Sequence, residues 1–329
     1  MDGNALRLAR ESKKKTVPEL AKALSMRLGK KIDEAKVARW ESGIDKIPAD
    51  VEGYIALSDL VFSRPQTTRA ISISIANRKG GIGKTSLSVN LAYVLAGAGA
   101  RVLLVDADAQ SNSTLHVGID DAEAERYDRQ RMTLYDVMRG HTPAEKAIIE
   151  TTIPSLSILP SYLRLATADE EMAGELELLK KNMQPVQGKY DFILYDCAPT
   201  VGAVTKNCLV CSNFSLIPVQ TEPHSIAGLA KMLRTLSDFK RSANKDLEIL
   251  GIVPTMHQPR VGQNKDSLLE LYTSLSKTHT IFSAIPRSST YPQSAAVGMV
   301  TVAYDLGVPG LGTFVEIATS LFAKAGATK

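Results

Sequence analysis

IANRKGGIGKTS, residues 75–86, stands between an apolar run, ISISI at 71–75, and a helix-like stretch, KTSLSVNLAYVLA at 84–96. A strand, a glycine-rich turn and a helix, in that order, are the setting of a phosphate-binding loop. Gly80, Gly81 and Gly83 let backbone N–H groups around Ile82 turn toward an anion, and the helix start adds its partial positive charge. Lys84 is placed to neutralise the β- and γ-phosphates, and the Thr85 hydroxyl, followed by Ser86, to ligate Mg²⁺. The general pattern G-x-x-x-x-G-K-[ST] asks for a glycine at position 78. This chain has Arg78 there and follows it with a second lysine, Lys79.

Outward from the loop, apolar runs alternate with helical patterns. RVLLVDAD (101–108), YDFILYD (190–196), FSLIPVQ (214–220), LEILGIV (247–253) and IFSAIP (281–286) read as strands, with stretches such as SIAGLAKMLRTLSDF (225–239) between several of them. Apolar strands joined by helices imply an α/β fold, a doubly wound, mostly parallel sheet covered on both faces. Asp106 and Asp108 close one strand two residues apart, so both can face the carboxyl end of the sheet, where ligands of such sheets bind. Asp196 ends the apolar run FILYD. FSRPQTTR, residues 62–69, has no apolar periodicity and reads as a linker. The expected division is a small all-α domain at 1–61, the linker at 62–69, and the nucleotide-binding domain at 70–329.

The chain has 329 residues, 44% of them hydrophobic, enough for one large domain and one small one. Its start is polar, and the apolar stretch LAYVLAGAGA is about half of the roughly 20 residues that a membrane span requires. The expectation is a soluble, cytoplasmic protein without a membrane partner. Cys197, Cys208 and Cys211 are too few for a disulfide framework and read as small buried hydrophobes; the five histidines lack ligand spacing. The net charge of +4 is uneven: residues 1–69 hold 14 Lys/Arg against 10 Asp/Glu, and the remainder holds 25 of each. A basic module on a neutral body suggests a nucleic-acid contact, a solvated surface being the alternative.

Within that module, Thr16 and Glu19 have the spacing of a capping box, Pro18 fits a first helical turn, and Leu20, Leu24 and Leu28 follow at helical spacing. A second helix is expected from about Asp33 to Gly43, with Val37 and Trp40 inward. Two short helices with cations on the second describe a helix-turn-helix. LRLARES, TVPELAKAL and VARWESG resemble the phage-repressor-like (Xre-type) helix-turn-helix domains. The resemblance implies an Arg10–Glu41 pair and DNA contacts from Glu34, Ala35, Lys36 and Arg39. MRLGKKID, 26–33, makes the inter-helix connection longer than usual in that family.

From about residue 70 onward, KGGIGKT, RVLLVDADAQSNST, YDFILYDCAPT, VPTMHQPR and IPRSSTYPQS resemble, in order, the signatures of the ParA-type partition ATPases. KGGIGKT is the family's deviant Walker A motif. The resemblance implies an ATP- and Mg²⁺-dependent ATPase of weak intrinsic activity that forms an ATP-sandwich homodimer, Lys79 reaching the nucleotide of the facing subunit. It also implies that Lys79, Lys84 and Asp108 act in catalysis, Asp108 on the attacking water, and that Thr85, Asp106 and Asp196 serve the metal. VPTMHQPR would lie near the adenine. Implied partners are non-specific DNA, an operator and a ParB-like adaptor, with nucleoid association and autorepression of the operon. Arg234, Lys240, Arg241 and Lys245 are DNA-contact candidates by charge alone. A nucleotide-sensing transcription regulator and a positioning ATPase for another cargo are the alternatives. In the terminal stretch GTFVEIATSLFAKAGATK, Phe314, Ile317, Leu321 and Phe322 have the spacing of a packed helix rather than of a membrane anchor.

Overall fold

The computed structural model describes residues 1–62, 69–223 and 225–327. Its centre is a seven-stranded sheet: β1 (Ile71–Ile75), β2 (Val102–Ala107), β3 (Ile149–Glu150), β4 (Leu156–Leu159), β5 (Phe192–Cys197), β6 (Phe214–Gln220) and β7 (Glu248–Thr255). The spatial order is β3-β4-β2-β5-β1-β6-β7, parallel throughout except for the β3–β4 pair. Because side chains alternate across a strand, neighbouring residues enter different cores. Phe192 and Leu194 of β5 pack on one face, Ile193 and Tyr195 on the other. Every residue of β1, β2 and β5 is buried, which is why the sequence shows no polar alternation there.

The first face carries the helix Lys84–Gly97, which follows the loop, and the terminal helix Leu311–Ala327, where Phe314, Ile317 and Leu321 are buried and Phe322 packs beside them. On the other face lie Ala203–Cys211, holding buried Cys208 and Cys211, and the helix Ser225–Ser242. The apolar run IFSAIP is not a strand. It crosses the β7 edge through two isolated bridges, Ile252 to Ile281 and His257 to Pro286, and proline cannot donate to a ladder. β3 and β4 carry too little alternation to be read from the sequence.

Residues 1–59 form four helices, α1 (Gly3–Ser12), α2 (Val17–Leu28), α3 (Glu34–Glu41) and α4 (Ala49–Asp59). Thr16 and Glu19 make the reciprocal cap, and Leu6, Leu20, Leu24, Val37, Trp40 and Ile55 form a small separate core. The Arg10 guanidinium donates to both carboxylate oxygens of Glu41, at 2.6 and 2.9 Å. Met26, Arg27 and Leu28 belong to the last turn of α2, so the connection to α3 is only 29–33. It is therefore shorter than the sequence pattern suggested.

The first residue of the expected linker packs against the large domain. Phe62 is 9% exposed, its N–H donates to Ala98 O at 2.9 Å, and its ring meets Phe192 and Phe322 at centroid distances of 5.3 and 4.8 Å. An aromatic ring in a stretch lacking periodicity was hidden from pattern reading, yet burial of that ring favours docking. Residues 63–68 of the expected linker lie outside the described residues, and its last residue, Arg69, is exposed.

Candidate functional site

The phosphate loop runs from the end of β1 into the helix that starts at Lys84. Gly81 and Gly83 have φ of 69° and 84°, a region that only glycine enters without strain. A Cβ added at Gly80, Gly81 or Gly83 would meet nothing within 4 Å, so the loop leaves a free cradle. Its walls are tied from outside. Asn77 Nδ2 donates to Pro218 O at 2.7 Å and Asn77 Oδ1 accepts from Lys79 N at 3.3 Å, while Thr255 Oγ1 donates to Ile82 O at 2.8 Å.

The two lysines take opposite environments. Lys84 is buried, and its ammonium donates to Lys79 O at 3.1 Å, across the loop. Burial lowers its pKa, while Asp196 pulls in the other direction. Lys79 stands at the rim, 49% exposed, and its Nζ lies 3.1 Å from Glu222 Oε2, itself 47% exposed.

Asp106 and Asp196 sit side by side because β2 and β5 are neighbours and pair in that register. Both are buried. Asp196 accepts from Ser88 Oγ at 2.9 Å and Ser113 Oγ at 2.7 Å, and the Thr85 side chain lies close to it. Asp106 Oδ2 accepts from the Thr114 N–H and hydroxyl at 2.8 and 2.7 Å. Burial, with the Asp196 charge beside it, raises Asp106 to about 7, and burial also raises Asp196. Asp108 follows β2, is only half-buried, and its Oδ1 accepts from Gln110 N at 3.0 Å. Ser161 Oγ donates to the Asp108 carbonyl and fixes the turn.

Two crowded carboxylates with one buried ammonium nearby leave an excess of negative charge that a cation would relieve. Among the described residues no group of three or more His, Cys, Asp or Glu could cage a metal. The donor set, a threonine hydroxyl with carboxylates behind it, therefore fits a magnesium ion that takes its remaining ligands from phosphate and water. Beside the loop lies a cavity of about 260 Å³, lined by Gly83, Ser86, Met256, Arg287, Tyr291 and Phe314 among others. VPTMHQPR and IPRSSTYPQS both reach this wall, through Thr255 and Met256 and through Ile285–Pro292.

Residues of the loop, Asp106, Asp108 and Asp196 thus converge at the carboxyl ends of the three central strands, β2, β5 and β1. The nucleic-acid candidates do not converge. Glu34, Lys36 and Arg39 are exposed on α3, where Arg39 forms a two-point ion pair with Asp45 at 2.7 and 2.9 Å. Arg234, Lys240 and Arg241 are exposed on Ser225–Ser242, Arg241 paired with Asp238. That helix packs on one face of the sheet, whereas Leu57 and Leu60 bring α4 onto the other. Ser88, Ser113, Thr114 and Glu222 carry no individually expected role, and Thr255 is expected only as part of VPTMHQPR. Only Ser88 had a local signal, four residues after Lys84 and so on the same helix face.

A family model described as an AAA domain matches residues 70–249. The chain is 31% identical over 261 residues to the chromosome partitioning protein ParA of Caulobacter vibrioides, covering 77% of this chain and 94% of that protein. It is 32% identical over 254 residues to the sporulation initiation inhibitor protein Soj of Bacillus subtilis, covering 76% and 98%. Among solved structures it is similar to a cobyrinic acid a,c-diamide synthase from Mycobacterium smegmatis with bound ADP and magnesium. That match has a TM-score of 0.60 at 28% identity and covers 70% of this chain and 91% of the other. About a quarter of the chain is left over by each of the two curated relatives.

Proposed function

Since the chain belongs to the ParA/Soj family of P-loop partition ATPases, we propose that it hydrolyses ATP to move or position DNA. ATP-bound subunits pair face to face and bind bulk DNA, and a ParB-like adaptor on a plasmid or chromosome stimulates a weak intrinsic activity. The observation that carries this reading is the division between the lysines. Lys84 lies buried under the cradle of its own subunit, while Lys79 stands at the rim, paired among the described residues with the exposed carboxylate of Glu222. A cation so placed is free to meet the triphosphate of a second copy.

In this reading the backbone N–H groups of Gly80–Thr85 hold the phosphates, and Lys84 neutralises them. The Thr85 hydroxyl, with Asp106 and Asp196 behind it, holds magnesium, which when bound offsets charge on the β- and γ-phosphate oxygens. Asp108, half-buried where Asp106 is fully buried, orients the attacking water and accepts its proton. The adenine enters the cavity beside Met256 and Tyr291. The apolar lining there, Met256, Ile285 and Phe314, excludes water from the base.

The helical module, residues 1–59, is proposed to be a helix-turn-helix that reads an operator through α3, which makes the protein its own repressor. Arg39 has to exchange Asp45 for a phosphate or base to take part. The module favours the alternative of a nucleotide-sensing regulator to the extent that a basic four-helix unit precedes the family domain. Nucleoid association follows from bulk DNA binding. Among the described residues no helix is long and apolar enough to cross a membrane.

Random duplex DNA tests the reading. With ATP and Mg²⁺ the protein is expected to bind it, log K falling by about 0.9 per phosphate contact per log unit of salt. Lys84→Ala is expected to abolish the ATP effect. Binding confined to a single operator sequence, indifferent to ATP, would favour the regulator instead.

A further inference from the structure

We infer that nucleotide occupancy is transmitted from the base cavity to the helical module through one strap of chain, residues 305–311. The inference rests on the proposed nucleotide reading of the cavity and goes beyond it by naming the route and the residues through which the two units communicate.

The inner side of the strap is the back of the cavity. Tyr291, a lining residue, donates its hydroxyl to Pro309 O at 2.8 Å. Gly310 has φ of 99°, and a Cβ there would lie 2.8 Å from Ile285 Cγ2 and 3.0 Å from Tyr291 Oη. Both of those residues face the cavity, so no slack separates the wall from the strap. The outer side of the same strap is the seat of α4. A Cβ added at Gly53 would lie 1.9 Å from Leu306 O and 2.8 Å from Leu311 Cδ2, a backbone-to-backbone approach that only glycine permits. One at Gly307 would lie 3.2 Å from Asp50 N.

A second path joins the module to the loop helix. Arg27 of α2 donates to the Tyr93 hydroxyl at 3.1 Å, and Tyr93 belongs to the helix that begins at Lys84. Asn90 of that helix donates to Ser86 O at 2.7 Å and accepts from Val302 N at 2.8 Å, just ahead of the strap. Close-packed contacts of this kind transmit displacement rather than absorb it. A base that presses Ile285 and Tyr291 outward therefore shifts the seat of α4, whose Val51 and Ile55 belong to the same core as Val37 and Trp40 of α3.

Hydrogen exchange on the full chain, with ADP and Mg²⁺ as probe to avoid the ATP dimer, tests this. ADP binding is measured first by calorimetry. Saturation is expected to change protection of the α4 amides about fivefold or more, the lower range of measured couplings. In Gly53→Ala, ADP affinity should stay within about twofold of the wild type while the α4 response disappears, as for separate sites whose link is cut. If that variant simply undocks α4, Tyr291→Phe decides: it keeps the seat and the ring but loses the bond to Pro309, and the response per bound ADP should shrink. Failure of ADP to bind would overturn the functional reading along with the coupling. Normal binding with α4 protection unchanged in the wild type, or a full response in both variants, would overturn the coupling alone.

Discussion

Replacing Lys79 with alanine separates its role in the free subunit from its role in the dimer. In the free subunit its partner is Glu222 at 3.1 Å, and the two side chains are 49% and 47% exposed. Exposed ion pairs contribute about 0.2–1 kcal/mol and are screened by salt, so unfolding of Lys79→Ala should change by less than about 1 kcal/mol. Facing a triphosphate in a water-poor interface, the same charge counts for more. Two unit charges about 4 Å apart at an effective dielectric constant of about 20 interact by about 4 kcal/mol, close to three decades in affinity. A two-fold dimer makes this contact twice, so the dimer Kd measured by sedimentation equilibrium with a non-hydrolysable ATP analogue and Mg²⁺ should rise by at least about a thousandfold. Calorimetry should still detect nucleotide on the monomer, because Lys84 and the loop backbone remain. A variant that dimerises within about threefold of the wild type would refute the facing-nucleotide argument. So would a stability loss above about 1.5 kcal/mol, which would make Lys79 a structural residue.

Three further outcomes follow from the geometry. Asp106 is raised to about 7 from 3.8 by burial and Asp196, so the folded state holds a proton that the unfolded chain has released between those values. Without magnesium, stability should fall as pH rises from about 4 to 7, by at most about 4 kcal/mol, and Asp106→Asn should flatten the profile in urea titrations at pH 5 and 8. Phe62→Ala should cost about 3–5 kcal/mol by the same assay if the ring seals the core between Phe192 and Phe322, and next to nothing if it belongs to a free linker. Asp108→Ala should slow phosphate release at least about a hundredfold while the ATP dimer accumulates in gel filtration. Unaltered turnover would remove Asp108 from the chemistry.

What the sequence determined by itself was what neighbours along the chain decide. The glycine turn between strand and helix, the Thr16–Glu19 cap, the unbroken apolar runs of β1, β2 and β5 and the buried stripe of the terminal helix are all local patterns whose period or spacing has one physical solution. The resemblance put VPTMHQPR near the adenine but gave IPRSSTYPQS no position; the structure brings both to one cavity wall. IFSAIP misled because an apolar run states burial, not pairing, and β3 and β4 are too short to carry a pattern. The tertiary structure alone decided which distant residues meet. Asp106 reaches Asp196 because β2 lies next to β5, Lys79 meets Glu222 from 143 positions away, and Gly53 touches Leu306 because α4 lands on the strap. Strand order and helix seating come from closing long loops around a shared core, an energy summed over the whole molecule that no local stretch records.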